Sequence, residues 1–168
     1  MLVTGGIDNN GNVLATAELY DPASGTFTLT AGNMNDERYT HTDTLLGNGK
    51  VLVTGGTDAS NSSVASAEVF DPSSGTFATT GSMGTPRSAH RATLLNDGTV
   101  LVEGGTDENG SPLVAAELYD PSTGQFAPTG SLQSPRYRHS ATLLGSANVL
   151  VTGGANTTGT LTTAELYQ

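Results

Sequence analysis

Short apolar runs punctuate this chain at even intervals, and two glycines close each one. LVT precedes Gly5-Gly6, VLVT at 51–54 precedes Gly55-Gly56, VLVE at 100–103 precedes Gly104-Gly105, and VLVT at 149–152 precedes Gly153-Gly154. The first glycines of these pairs are 50, 49 and 49 residues apart. Runs this short and apolar at consecutive positions fit strands covered on both faces. A second pattern follows each pair: AELY at 17–20, AEVF at 67–70, and AELY again at 116–119 and 164–167. Three of these continue into D-P-x-[ST]-G and reach Phe27, Phe77 and Phe126. In that turn Pro presets φ and Gly accepts a positive φ. A third pattern places Arg, then His three residues later, then Thr-Leu-Leu, starting at Arg38, Arg87 and Arg136. Each unit therefore predicts four short strands. Strand a is HTDTLL, HRATLL or HSATLL, strand b is the VLV run, strand c is AELY, and strand d starts at the Phe.

A period of about 50 residues, with a double glycine ending a strand, an aromatic before Asp-Pro and an upstream R-x-x-H, resembles the kelch repeat. Phe27, Phe77 and Phe126 stand where the usual kelch unit has Trp. The resemblance covers the whole chain and implies an all-β fold, a β-propeller of four-stranded antiparallel kelch blades with no helix longer than a turn. It does not specify a function, because kelch propellers serve unrelated roles. The units divide as a partial blade at 1–30, blades at 38–80 and 87–129, and a partial blade at 136–168.

The strand order b-c-d, a-b-c-d, a-b-c-d, a-b-c gives 14 strands and an incomplete ring. Met1 falls in the column of Val51, and Gln168 in that of Asp71. Propellers close with roughly four to eight blades. The expected partner is therefore the rest of a longer propeller or a second copy, most simply a head-to-tail homodimer. On open terminal blades Leu2, Leu14, Leu150 and Leu166 would expect a neighbour.

Composition narrows the function. The net charge is −10, from 16 acidic residues against six Lys and Arg, so phosphate neutralisation is not expected, and neither nucleic acid nor an anionic membrane is an expected partner. No apolar run approaches the roughly 18 residues of a membrane-spanning helix. There is no cysteine, which excludes disulfides, thiolate chemistry and Cys-ligated zinc.

The positive charge is concentrated. With strand a innermost, the d–a and b–c connections share one face of the disc. Arg38, Arg87, Arg91, Arg136 and Arg138, with His41, His90 and His139, ring the channel mouth there, beside Tyr39 and Tyr137. These ten residues are the candidate ligand-binding set, suited to an anion or polar group. Arg38, Arg87 and Arg136 have a structural alternative in pairing with the strand-c glutamates Glu18, Glu68, Glu117 and Glu165. The histidines come one per blade, a spacing that follows the ring rather than a metal ion, so no metal or cofactor is expected. Asp43, in the column of Ala92 and Ala141, and Glu103, in a threonine column, break the repeat. Buried carboxylates there require partners. The loops at 8–12, 58–62 and 107–111 are Asp-rich but lack the calcium-loop pattern and read as turns.

An enzyme is not expected. The galactose-oxidase branch of kelch propellers implies a tyrosine cross-linked to cysteine, which a Cys-free chain cannot form. A sialidase-like grip on a carboxylate by Arg38, Arg87 and Arg136 would be the alternative, but no nucleophile or acid partner can be assigned beside it. The expected function is a non-catalytic binding or scaffold module for a protein or glycan ligand.

Overall fold

The computed structural model describes all 168 residues, as sixteen strands and no helix. Blade 1 is β1 (Leu2–Thr4), β2 (Ala17–Asp21) and β3 (Thr26–Leu29). Blade 2 is β4 (Thr42–Leu45), β5 (Val51–Thr54), β6 (Ala67–Asp71) and β7 (Thr76–Thr79), in that order across the sheet. Blade 3 repeats it with β8 (Arg91–Leu94), β9 (Val100–Glu103), β10 (Ala116–Asp120) and β11 (Gln125–Pro128). Blade 4 is β12 (Ser140–Leu143), β13 (Val149–Thr152) and β16 (Ala164–Tyr167), with a small hairpin of β14 (Ala155–Asn156) and β15 (Gly159–Thr160) in its b–c loop. Every pairing is antiparallel. The innermost strands neighbour one another across blades, β4 against β8 and β8 against β12.

The fourteen blade strands read from the repeat are present, and β14–β15 is additional. The segment from Gly154 to Ala164 is one residue shorter than its counterpart from Gly6 to Ala17. Asn156 can therefore pair with Gly159 across a two-residue turn. The longer loops make single bridges instead, Ile7 with Val13, Thr57 with Ser63 and Thr106 with Pro112. The histidines lie just before strand a rather than in it, and strand d begins one residue before its Phe.

The core lies between blades, not within them. In β9, Val100 and Val102 pack with Leu46, Leu52 and Met83 on the blade 2 side, while Leu101 packs with Val149, Val151 and Leu132 on the blade 4 side. Period-2 alternation thus buries both faces of strand b, which explains the unbroken apolar runs. Cross-strand aromatic pairs join c to d in the first three blades, with Tyr20–Phe27, Phe70–Phe77 and Tyr119–Phe126 ring centroids 4.8, 4.9 and 4.8 Å apart. On the open flanks apolar side chains remain exposed, Val3 at 41% and Leu166 at 49%.

The glycine pairs are required by close approach. Gly55 and Gly56 have φ of 59° and 102°, in the left-handed region. A Cβ on Gly55 would collide with the Arg87 carbonyl, and one on Gly56 would come 2.8 Å from the Tyr39 carbonyl. The space is occupied because Gly56 N–H donates to the Arg87 carbonyl at 2.9 Å, tying the next connection to the loop. Gly55→Ala is expected to lower the free energy of unfolding by about 2 kcal/mol or more, from backbone strain and the clash together. Gly47→Ala, where an added methyl meets nothing within 4 Å, is expected to change it by less than about 0.5 kcal/mol. Urea denaturation of the two variants checks the contrast.

Candidate functional site

Arg38, Arg87 and Arg136 fold inward. Their side chains are almost wholly inaccessible, at 0, 0 and 1%. Each has its backbone in one blade and its guanidinium in the next. Arg87 N–H donates to Val64 O at 3.1 Å in blade 2. Its Nη1 donates to the carbonyls of Gly104 and Ala115 at 3.0 and 2.8 Å, and Nη2 to Glu117 Oε1 at 2.8 Å, all in blade 3. Arg38 does the same to Gly55, Ser66 and Glu68, and Arg136 to Gly153, Thr163 and Glu165. The glutamates also hold the connection's backbone. Glu68 accepts from Asn35 N at 2.8 Å and Asp36 N at 3.1 Å, and Glu117 from Gly84 N at 2.7 Å. Each blade junction is therefore closed by a buried, multiply bonded ion pair, the geometry in which such a pair resists desolvation.

The histidines lie between the inner strands of adjacent blades. Each directs Nε2 at the last residue of the preceding strand b. His41 meets Thr4 Oγ1 at 2.7 Å, His90 meets Thr54 Oγ1 at 3.2 Å and Thr42 Oγ1 at 3.0 Å, and His139 meets Glu103 Oε1 at 3.3 Å. The two residues that break the repeat belong to this ladder. Asp43 accepts from Thr4 Oγ1 at 2.7 Å. Glu103, fully buried, takes the threonine's place against His139. Burial, reinforced by neighbouring arginines, lowers His41 and His139 to about 4 and His90 well below its usual range. Burial also pushes the Glu103 carboxyl well up, against the pull of Arg87 and Arg91.

The mouth itself is built from the residues between each Arg and His. Tyr39, Ser88 and Tyr137 bridge to Thr57, Thr106 and Ala155 of the adjacent b–c loop. Tyr39 and Tyr137 are half-buried, and the Tyr39 hydroxyl donates to Asn61 Oδ1 at 3.0 Å. The next residues, Thr40, Ala89 and Arg138, all have left-handed backbone, with φ of 54°, 52° and 54°. They are linked across blades, Ala89 N–H donating to Thr40 O at 3.0 Å and Arg138 N–H to Ala89 O at 2.9 Å. Non-glycine residues in this conformation cost energy and cluster at functional positions. Thr40 and Ala89 were absent from the ten candidates. Their signal in the sequence is only that they share the column of Arg138.

Thr40, His41, Ala89, His90, Arg91 and Arg138 line one pocket of about 170 Å³. Arg91 and Arg138 are exposed. Arg91 Nε donates to His139 O at 2.5 Å, and the Arg138 guanidinium lies 5.9 Å from the Tyr137 ring centroid. Of the six Lys and Arg side chains, three are the buried clamps and Lys50 pairs with Asp71 at 2.9 Å on the opposite face. Arg91 and Arg138 alone lack a carboxylate partner. The other two depressions have acidic walls, one with Asp97 and Asp120, the other with Asp36, Glu37 and Asp58. Of the ten candidates the structure thus gathers His41, His90, Arg91 and Arg138 at the pocket. It sets Tyr39, Tyr137 and His139 beside or beneath the mouth and directs the three clamp arginines between blades.

A histidine with a folded pKa below its unfolded value of about 6.5 leaves the unfolded chain binding more protons as the pH falls. His41, His90 and His139 thus contribute stability that is present above about pH 6.5 and lost as the pH falls toward 4. Glu103, with its raised pKa, acts in the opposite sense, holding its proton where the unfolded chain has released it. Imidazole resonances followed by NMR are expected to stay flat between about pH 8 and 5.5. Glu103→Thr, which restores the residue of the column, is expected to raise the urea midpoint at pH 7.5.

Residues 41–84, from strand a of blade 2 into the next connection, match the family model described as Kelch motif. No curated protein matches the chain.

Proposed function

We propose that this array of kelch blades is a non-catalytic binding module whose ligand carries a carboxylate or sulfate group and seats at the channel mouth. One observation carries the reading: the only two cationic side chains without a carboxylate partner, Arg91 and Arg138, are exposed and line the same pocket. On a chain of net charge −10, a cationic pocket on a rigid rim concentrates anions locally. The rim is held by blade-to-blade backbone bonds, which supports recognition at little ordering cost. The ligand group is offered by an acidic glycan or an acidic protein surface. Against a sialidase-like reading stands the burial of Arg38, Arg87 and Arg136 on Glu68, Glu117 and Glu165, which leaves those guanidiniums inaccessible to a substrate.

The test is an NMR titration with a glucuronate-containing oligosaccharide and, separately, an oligo-glutamate peptide. Shifts are expected at Thr40, His41, Ala89 and His90. Arg91→Ala with Arg138→Ala is expected to weaken binding about tenfold or more while leaving the unfolding midpoint nearly unchanged, because both groups are exposed. Shifts mapping instead to the D-P-x-[ST]-G turns would place the site on the wrong face.

The apolar flanks of the first and last blades also suit a neighbouring blade, from the rest of a longer propeller or from a second copy. Val3 and Leu166 are half-exposed where their counterparts in inner blades meet a neighbour.

A further inference from the structure

Two residues of blade 3 that break the repeat stand opposite each other. Arg91, at the start of β8, and Glu103, at the end of β9, are cross-strand partners. The same two positions hold Thr42 and Thr54 in blade 2, and Ser140 and Thr152 in blade 4, again as partners. In blade 2 the pair closes a neutral triangle. Thr42 Oγ1 and Thr54 Oγ1 lie 2.7 Å apart, and both meet His90 Nε2, at 3.0 and 3.2 Å. In blade 3 the corresponding groups are Arg91, Glu103 and His139, a cation, a carboxyl and an imidazole. Hydroxyls have thus been exchanged for opposite charges at positions within side-chain reach of each other.

The exchange leaves the carboxyl half used. Glu103 is inaccessible, its Oε1 lies 3.3 Å from His139 Nε2, and its Oε2 is buried with no hydrogen-bond partner. Arg91 does not meet that oxygen. Its Nε donates to the His139 carbonyl, and its exposed side chain lines the pocket at the mouth. Burial raises Glu103 well above the usual carboxyl range, so this arrangement suits its protonated form. The other charged and titratable groups around it are Arg87, in the connection before β8, and His139, before β12, with Arg136 acting on His139. β10 sets Ala116 opposite Glu103, and β13 carries no ionisable residue. Arg87 is committed to Glu117 and Arg136 to Glu165. Arg91 is therefore the cation left to answer when Glu103 ionises.

We infer that Glu103 is an internal counter-anion of the mouth: once ionised it draws Arg91 out of the pocket onto Oε2, and so competes with a bound anion for the same guanidinium. The inference rests on the anionic ligand proposed above and adds the regulation of its site. One proton on Glu103 separates the two positions of Arg91, so anion binding and proton uptake strengthen each other. Binding is tight where Glu103 is protonated and weakens as the pH rises through its midpoint.

The free protein is followed first by NMR, between about pH 5.5 and 8.5. The Arg91 Nε and Glu103 carboxyl resonances are expected to step with one midpoint. The Arg91 step is expected to vanish in Glu103→Gln and in Glu103→Thr, which carries the residue of the column. Affinity for the glucuronate-containing oligosaccharide is expected to fall with rising pH by up to about tenfold per unit, the limit for one linked proton. In Glu103→Gln it is expected to be flat. Arg138→Ala is expected to bind more weakly but keep the slope, and Arg91→Ala to lose it. An Arg91 resonance that does not move with pH, or a Glu103→Gln protein that keeps the wild-type pH dependence, would overturn the inference. An oligosaccharide that binds no variant would contradict the reading of the mouth instead, while the Arg91 step in the free protein still decides whether Glu103 commands that guanidinium.

Discussion

The buried arginine between blades is the constraint on which the rest of this structure depends. A blade cannot bury both faces of its strand b alone, so stability is a property of junctions, as in other stacked repeats. Each junction contains a connection that must be held from both sides. The preceding blade holds its backbone through the second glycine of the pair and the b–c loop carbonyls. The following blade holds its side chain through one glutamate and two carbonyls. The glycine pairs, the Ala-Glu of strand c and the position of Arg all follow from this joint. A side chain on the glycine would displace the carbonyl that aims the arginine.

The clamp also sets the mouth. Once the arginine is fixed, the next residue bridges to the neighbouring loop, the one after turns through a left-handed conformation, and the histidine drops between the inner strands. The pocket residues are therefore positioned by groups buried between blades, and the pocket-lining positions two and four after the arginine differ from blade to blade. There Arg138 and Arg91 occur, while Thr40 and Ala89 leave the pocket open. The proposed binding positions and the clamp thus neighbour one another in one segment without competing for the same side chains.

Much of the fold was legible because the repeat exposes local requirements. Double glycines, D-P-x-[ST]-G turns and apolar runs are each dictated by backbone conformation or by burial on two faces, and those needs act within a few residues. The candidate site was less legible. All five arginines belong to the d–a connections, but charge alone does not reveal which guanidinium is already bonded, and three of them turn inward between blades. The glutamate partners lie 29 or 30 residues downstream, across a blade boundary. Glu103 was visible as a break in its column, yet its pairing with His139 depends on two blades meeting at the channel. The left-handed backbone at Thr40 and Ala89 left no compositional mark, since neither residue favours that conformation. The β14–β15 hairpin turned on a single missing residue in a loop otherwise alike in sequence character.

The most direct test of the account is a double-mutant cycle on Arg87 and Glu117, measured by urea unfolding. If the clamp holds the blades together, Arg87→Ala and Glu117→Ala each lower stability by about 3–5 kcal/mol, since each leaves a buried charge without its partner. The double variant then costs far less than the sum, giving a coupling energy of about 2 kcal/mol or more. Single losses below about 1 kcal/mol that simply add would contradict it, because the junctions would then be held by apolar packing alone.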